Sequence, residues 1–227
     1  MITETVTVPV KSGIFDSYYA RPDGQGPFPG IVVIHEIFGL NDNIRKTAER
    51  FSDEGYAALA VDMMTSRNRA LCMARFMSAL VLKPLNHRGI QDLKASLTWL
   101  AERPEVDGDR LGVIGFCLGG SFALSWACTD QRLKVTAPFY SMNPRPLNAV
   151  ARSCPVVGSF PGNDFTAKGG RKLQKMLDTY DVPNDIVIYP DSKHSFFNRE
   201  RDQYDAKASA DAWRRTLAFF GQVLGQS

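Results

Sequence analysis

Leu111-Gly112-Val113-Ile114-Gly115-Phe116-Cys117-Leu118-Gly119-Gly120 is the stretch on which the reading of this chain turns. An apolar run passes directly into G-x-C-x-G-G and then into a segment rich in Ala and Leu. That pattern predicts a buried strand, a sharp turn with Cys117 at its apex, and a helix: a nucleophile elbow with Cys where Ser is usual. In so tight a turn the residues beside the apex must be small, which Gly115 and Gly119 satisfy, and Gly120 lets the helix approach the sheet. The turn lifts the thiol above the C-terminal edge of the strands, onto a helix N-terminus. The partial positive charge there is expected to lower the thiol pKa and favour the thiolate, which is the reactive form. A structural cysteine would not need this glycine spacing and both flanking elements together.

Outward from the elbow, strand-like and helix-like stretches alternate. Residues 3–10 and 14–20 show the period-two pattern of antiparallel strands, with Ser12-Gly13 as the turn. Residues 30–35, 57–61, 111–115, 134–140, 155–160 and 185–189 are short apolar runs suited to strands buried on both faces. Amphipathic stretches at 42–54, about 87–102, 119–128, 166–180 and 205–224 fill the gaps as helices. The alternation predicts an α/β fold with a mostly parallel central sheet flanked by helices and an antiparallel N-terminal hairpin. The 227 residues suit one domain, 1–227, with no internal repeat or linker. Segment 63–86 stands apart, with Met63, Met64, Met73, Met77 and Phe76 among Arg67, Arg69 and Arg75. It reads either as a lid over a pocket or as a helix packing its Met/Phe side on the core.

A thiol nucleophile needs a base and a group to orient it. His194 follows the run Ile186–Tyr189 in a loop, the last position in the order nucleophile, acid, histidine. His35 ends an early strand and His87 opens a helix, so packing or solvated roles are expected of both. Asp164 follows the run 155–160 and lies between nucleophile and histidine, so it is the expected acid; capping of the next helix is its alternative role. Asp191, three residues before His194, is a rival that more simply shapes the loop. After strand 30–35 come Glu36-Ile37-Phe38-Gly39-Leu40. A loop at this point can supply one oxyanion donor and the residue after the nucleophile the other, which nominates the backbone N–H groups of Ile37 and Leu118. Glu36 would then lie near the thiol, although a Glu at a strand end is by itself more often solvated or salt-bridged.

Bulk properties narrow the function further. Hydrophobic residues make up 44% and charged ones 22%, an ordinary globular balance. A net charge of +3 without a clustered basic face argues against nucleic acid and is compatible with a small anionic substrate. No apolar run has membrane-span length and the N-terminus lacks signal-peptide character, so no membrane partner is expected. Cys72, Cys117, Cys128 and Cys154 show neither paired nor metal-ligand spacing, which gives a reduced, cytoplasmic protein as the expectation. No metal or cofactor is implied, and nothing in the sequence bears on oligomeric state.

Taken together, Glu36-Ile37-Phe38-Gly39, Gly55-Tyr56-Ala57 through Asp62, the Cys117 elbow, Asp164 and His194-Ser195-Phe196 resemble the dienelactone hydrolases. These are carboxymethylenebutenolidase-like members of the α/β-hydrolase superfamily, and the resemblance covers essentially the whole chain. It implies the α/β-hydrolase fold and hydrolysis of a lactone or ester by a Cys117–His194–Asp164 triad. It also implies that Glu36 interacts with the thiol and helps to activate it when substrate binds. Family substrates are cyclic enol lactones bearing a carboxylate held by arginines. Here the chain departs from the pattern: Asn198 stands four residues after His194, where the family often has Arg, with Arg199 beside it. Only Arg75 falls near the other expected arginine. Phe38, Tyr140, Arg69, Arg75 and Arg199 are therefore the expected substrate-binding residues. A general carboxylesterase or thioesterase, and a thiol-based redox or binding protein on the same fold, are the competing readings.

Overall fold

The computed structural model describes residues 1–64, 78 and 85–225. In those residues the chain forms β1 (Ile2–Val10), β2 (Gly13–Arg21), β3 (Phe28–Ile34), α1 (Asp42–Asp53), β4 (Ala57–Val61), α2 (Arg88–Ala101), β5 (Val106–Phe116) and α3 (Leu118–Ala127). There follow β6 (Leu133–Phe139), a 3-10 helix (Leu147–Arg152), β7 (Val156–Pro161), α4 (Ala167–Thr179), β8 (Asn184–Tyr189) and α5 (Ala206–Leu224). The strands make one eight-stranded sheet in the order β1-β2-β4-β3-β5-β6-β7-β8. The β1–β2 hairpin joins β4 antiparallel, and every neighbouring pair from β4 to β8 is parallel. This is the α/β-hydrolase arrangement. Two details differ from the sequence pattern. The 3-10 helix is too short to show a periodicity. β5 starts at Val106, because the polar Asp107-Gly108-Asp109-Arg110 forms an irregularity inside the strand, closed by Arg110 Nε to Asp107 Oδ2 at 2.7 Å.

Continuous apolar strands produce two cores because successive side chains point to opposite faces. Val32 and Ile34 of β3, with Leu59, Val61 and Val113, pack under Leu93, Leu97 and Leu100 of α2 and Phe122 and Trp126 of α3. Ile31 and Val33, with Ala58, Ala60 and Ile114, face Ile44, Ala48 and Phe51 of α1 and Ala212, Trp213 and Phe220 of α5. A third cluster joins Leu173 and Leu177 of α4 to Phe160 of β7, Ile186 of β8 and Val150 of the 3-10 helix. With both faces covered by helices, the open place for a site is the sheet's edge: the crevice beyond the C-terminal ends of β3, β5, β7 and β8. Residues 65–77 and 79–84, with Arg69, Arg75 and most of the lid-like segment, lie outside the described residues. Among the described residues no helix is long and apolar enough to cross a membrane.

The helix starts follow capping chemistry, with one unusual member. Asn41 accepts from the Ile44 N–H at α1, and Asp205 from the Ala208 N–H at α5. At α2 the cap is His87: Nδ1 accepts from the Gly89 N–H at 3.1 Å, and Nε2 is buried without a partner. Burial lowers its pKa to about 4 from the usual 6.5. The unfolded chain therefore takes up a proton below pH 6.5 that the folded chain refuses until about pH 4. His87 should thus remove stability as pH falls through this window, by at most about 3 kcal/mol. His87→Asn, which retains a capping acceptor, should flatten the loss in urea titrations between pH 7 and pH 4. An unchanged pH slope would assign the acid sensitivity to other groups.

Candidate active site

The elbow is a strained turn held from several sides. Cys117 has φ 54° and ψ −113°, outside the regions that an L-residue occupies at ease. Its N–H donates to the Phe139 carbonyl at 3.0 Å, tying the apex to the end of β6. Its own carbonyl accepts from both the N–H and Oγ of Ser121, each at 3.1 Å. The flanking glycines are required by space. A Cβ on Gly115 would lie 2.2 Å from the Gly119 carbonyl oxygen, and one on Gly119 would lie 2.5 Å from the carbonyl oxygens of both Ile34 and His35. Cys117, Tyr140 (φ 38°) and Ser195 (φ 63°) are three of the four non-glycine residues with positive φ among the described residues. All three border this crevice, where strain is expected to concentrate.

The thiol's electrostatics reverse the sequence expectation. Burial first, then the negative charge of Glu36, push the Cys117 thiol up to about 12. Asp164 adds to this, and the Leu118 N–H at the helix start pulls the other way without prevailing. One turn of oriented peptide cannot offset desolvation together with a nearby carboxylate. At neutral pH the resting group is a protonated thiol.

His194 Nδ1 and Asp164 Oδ2 are hydrogen-bonded at 2.8 Å. Asp164 is held in turn by the Phe165 N–H at 2.8 Å and the Thr166 hydroxyl at 2.6 Å. The aspartate side chain is 6% exposed and that of His194 30%, so the pair has a buried and a wet end. The ring lies between Phe165, stacked at 5.6 Å and 14°, and Tyr140 at 5.0 Å. Asp191 is exposed and offers only its carbonyl, to Asn163, so the rival acid does not reach the ring. Among the described residues no hydrogen bond joins His194 to the Cys117 thiol.

Glu36 is 2% exposed, which overturns the solvated alternative for a strand-end carboxylate. Its oxygens accept from Ser195 Oγ at 2.7 Å and Asn198 Nδ2 at 2.6 Å. Both donors are neutral, and both come from the loop that carries His194. The Tyr140 hydroxyl, fully buried and held neutral by burial and the Glu36 charge, makes no hydrogen bond of normal geometry. His35, expected only to pack, is 2% exposed and pairs through Nδ1 with the Glu36 carbonyl oxygen, while Nε2 accepts from the Met63 N–H at 3.1 Å. Because a carbonyl only accepts, Nδ1 carries the proton. That carbonyl shares a peptide unit with the Ile37 N–H, so the His35 ring sets the plane of that N–H. Ile37 is exposed, and Leu118 is the first residue of α3, where N–H groups lack intrahelical partners. Sequence reasoning missed Ser121, Thr166, Phe165, Ser195 and Asn198. The available signal was their place one to four residues after Cys117, Asp164 and His194.

Beside His194 opens a cleft of about 440 Å³ lined by Phe38, Lys193, His194, Ser195 and Arg201, among others. Arg201 lies over the Phe38 ring at 4.5 Å, and neither it nor Lys193 has an ion-pair partner among the described residues. Arg199, the nearer expectation by sequence, does not line this cleft; its guanidinium lies 6.0 Å from the Tyr204 ring. Loop curvature after Asn198 decides this, which spacing does not reveal.

The dienelactone hydrolase family model matches residues 15–224. The chain belongs to the dienelactone hydrolase family. A relative in Escherichia coli O157:H7, provisionally named a carboxymethylenebutenolidase, is 29% identical over 236 residues, covering 97% of this chain and 87% of its own. One of the same provisional name in Saccharolobus solfataricus is 29% identical over 243 residues, covering 91% and 93%. A Klebsiella pneumoniae crystal structure, provisionally named a dienelactone hydrolase, superposes with TM-score 0.85 at 26% identity, covering 97% of this chain and 98% of the other. Like them, the chain is a hydrolase of the dienelactone hydrolase type. In this dienelactone hydrolase-like chain the elbow's close backbone approach yields a first test of the site. Gly119→Ala should cost about 1–3 kcal/mol through overpacking against β3, read as a lowered denaturation midpoint at unchanged slope. A neutral substitution would mean that α3 moves freely relative to β3.

Proposed function

We propose that the chain hydrolyses a lactone or carboxylic ester through Cys117 as nucleophile and a thioester acyl-enzyme. The observation that carries this reading is the His194–Asp164 hydrogen bond beside a strained cysteine elbow. Cys117 Sγ attacks the carbonyl carbon and the carbonyl electron pair moves to oxygen. The N–H groups of Ile37 and Leu118 hold that oxyanion, each worth about 3 kcal/mol in comparable sites. Collapse breaks the carbon–oxygen bond to the leaving group, which departs as a stabilised enolate or takes a proton that His194 draws from solvent at its exposed edge. His194, oriented by Asp164, then removes a proton from water. The hydroxide attacks the thioester, the carbon–sulfur bond breaks, and the sulfur takes its proton back from Glu36, which restores the thiol and the carboxylate. A thiol pushed up to about 12 requires activation, and Glu36 is placed to control it. Discharging its carboxylate, by uptake of the thiol proton as substrate displaces water, creates the thiolate and removes the charge that opposed it.

The thiol redox reading is disfavoured. Redox sensing works through a low-pKa thiol and has no use for an acid that orients a histidine. The Lys193–Arg201 cleft supports an anionic ester or lactone as substrate, with Arg201 and Lys193 in the part that sequence spacing gives to Arg199.

Cys117→Ala should abolish hydrolysis of p-nitrophenyl acetate, and mass spectrometry of the wild type should trap an acyl group on Cys117. An acyl adduct elsewhere, or retained turnover, rejects the nucleophile. Glu36→Gln separates two effects. Without the carboxylate charge the thiol pKa falls, so iodoacetamide alkylation of Cys117 should set in at lower pH than in the wild type. Turnover should nevertheless drop at least tenfold, because the proton acceptor is lost. If turnover is unchanged, Glu36 has no part in activation. For the anion, Arg201→Ala and Lys193→Ala should each lower kcat/KM for a carboxylate-bearing lactone roughly tenfold and leave its methyl ester nearly unaffected. Equal losses on both substrates would remove anion recognition from these residues.

A further inference from the structure

Phe165, which stacks on His194, also lines a second cavity, of about 320 Å³. Its walls include Ser141, Met142, Asn143, Arg145, Leu147, Phe165 and Thr166. It is joined to the catalytic groups at three points. Phe165 stacks on the His194 ring, and the Thr166 hydroxyl donates to Asp164 at 2.6 Å. The Met142 N–H donates to Ser121 Oγ at 2.9 Å, and Ser121 in turn holds the Cys117 carbonyl.

Among the described residues, two polar atoms of this cavity lack partners. Ser141 is 1% exposed and its Oγ is buried without a hydrogen bond; Asn143 Oδ1 is buried and equally unpaired. The Asn143 amide orientation is settled by its other end, since Nδ2 donates to the Gly169 carbonyl at 2.9 Å. The free atom is therefore an acceptor, beside a serine hydroxyl able to donate. Leaving such groups unpaired in a desolvated wall is costly. Ser141 also follows Tyr140, whose φ of 38° is maintained against strain. Apolar area is available next to them: Phe165 is 73% exposed and Met142 37%.

We propose that this cavity is a specificity pocket for a neutral arm of the substrate that carries a hydrogen-bond donor and an acceptor, a carboxamide or hydroxyl on a short apolar chain. The proposal rests on the reading of the chain as an ester hydrolase and adds the chemistry of one substrate arm. The group's N–H or O–H donates to Asn143 Oδ1, its oxygen accepts from Ser141 Oγ, and its chain packs on Met142, Leu147 and Phe165. A hydrocarbon offers neither group and an ionised carboxylate no donor for Asn143 Oδ1, so a carboxamide or hydroxyl is the group that meets both atoms.

Two pairs of isosteres test it, one varying each side of the ester. On the acyl side, p-nitrophenyl 4-carbamoylbutanoate is compared with p-nitrophenyl 5-methylhexanoate; on the alkoxy side, 3-carbamoylpropyl acetate is compared with 4-methylpentyl acetate. In one pair kcat/KM should favour the carboxamide about tenfold or more. Ser141→Ala and Asn143→Leu should each abolish the preference while the hydrocarbon isostere keeps its rate. No preference in either pair, with hydrolysis intact, means that the cavity holds water only and overturns the proposal. So does a preference that survives both variants. A second readout needs no turnover. Line broadening of pentanamide signals by the wild-type protein should disappear in both variants. Pentanamide bound in this way while no ester is cleaved would uphold the pocket and reject the hydrolase reading; broadening unchanged by the variants would reject the pocket.

Discussion

The close approach of α3 to the ends of β3 and β5 is the constraint on which the site depends. It exists because Gly115 and Gly119 present no Cβ to carbonyl oxygens that would otherwise lie at 2.2 to 2.5 Å. That contact allows the chain to reverse within one residue, at the cost of a positive φ on Cys117. The backbone bonds from Phe139 and Ser121 then keep the thiol where β3, β7 and β8 can deliver their loops to it. Each of those loops brings one functional group: Glu36 after β3, Asp164 after β7, His194 after β8. The parallel order of the strands places all of these groups at one edge, so the chemistry follows from topology more than from any single interaction.

Charge is arranged around the thiol so as to keep it quiet at rest. A buried carboxylate held by neutral donors, Ser195 and Asn198, lies near a sulfur whose ionisation burial already disfavours, and opposes that ionisation further. A cation at position 198 would screen Glu36; the amide orients it without screening. Under the proposed mechanism, reactivity is tied to an event that discharges or displaces the carboxylate. The loop carrying His194 also supplies both ligands of Glu36, so base and carboxylate are positioned by one piece of backbone, itself bent at Ser195.

Around this centre the surroundings of His194 are asymmetric. The Phe38 side offers Lys193 and Arg201, cations without carboxylate partners among the described residues. The Phe165 side offers a cavity lined by Arg145 and by a hydroxyl and an amide oxygen that have no hydrogen bond among the described residues. Backbone turns and buried carboxylates thus form the inner layer, and exposed loop side chains the outer one.

By itself the sequence determined what depends on local rules. Apolar runs of strand length, amphipathic stretches between them and the glycine-flanked Cys117 were enough to give the layered α/β architecture, because burial on two faces and a sterically forced turn both leave periodic or fixed-spacing traces. His194 and Asp164 were legible for the same reason, each following a strand in the expected order. Tertiary structure alone decided the protonation of the thiol, since the Leu118 N–H is visible in sequence as a helix start while desolvation and the Glu36 charge arise only from packing. It decided that Asn198 holds Glu36, that Arg201 rather than Arg199 lines the cleft, and that His35 orients the Ile37 peptide. Those outcomes depend on how irregular loops converge from distant parts of the chain, and no periodicity records where a loop side chain ends in space.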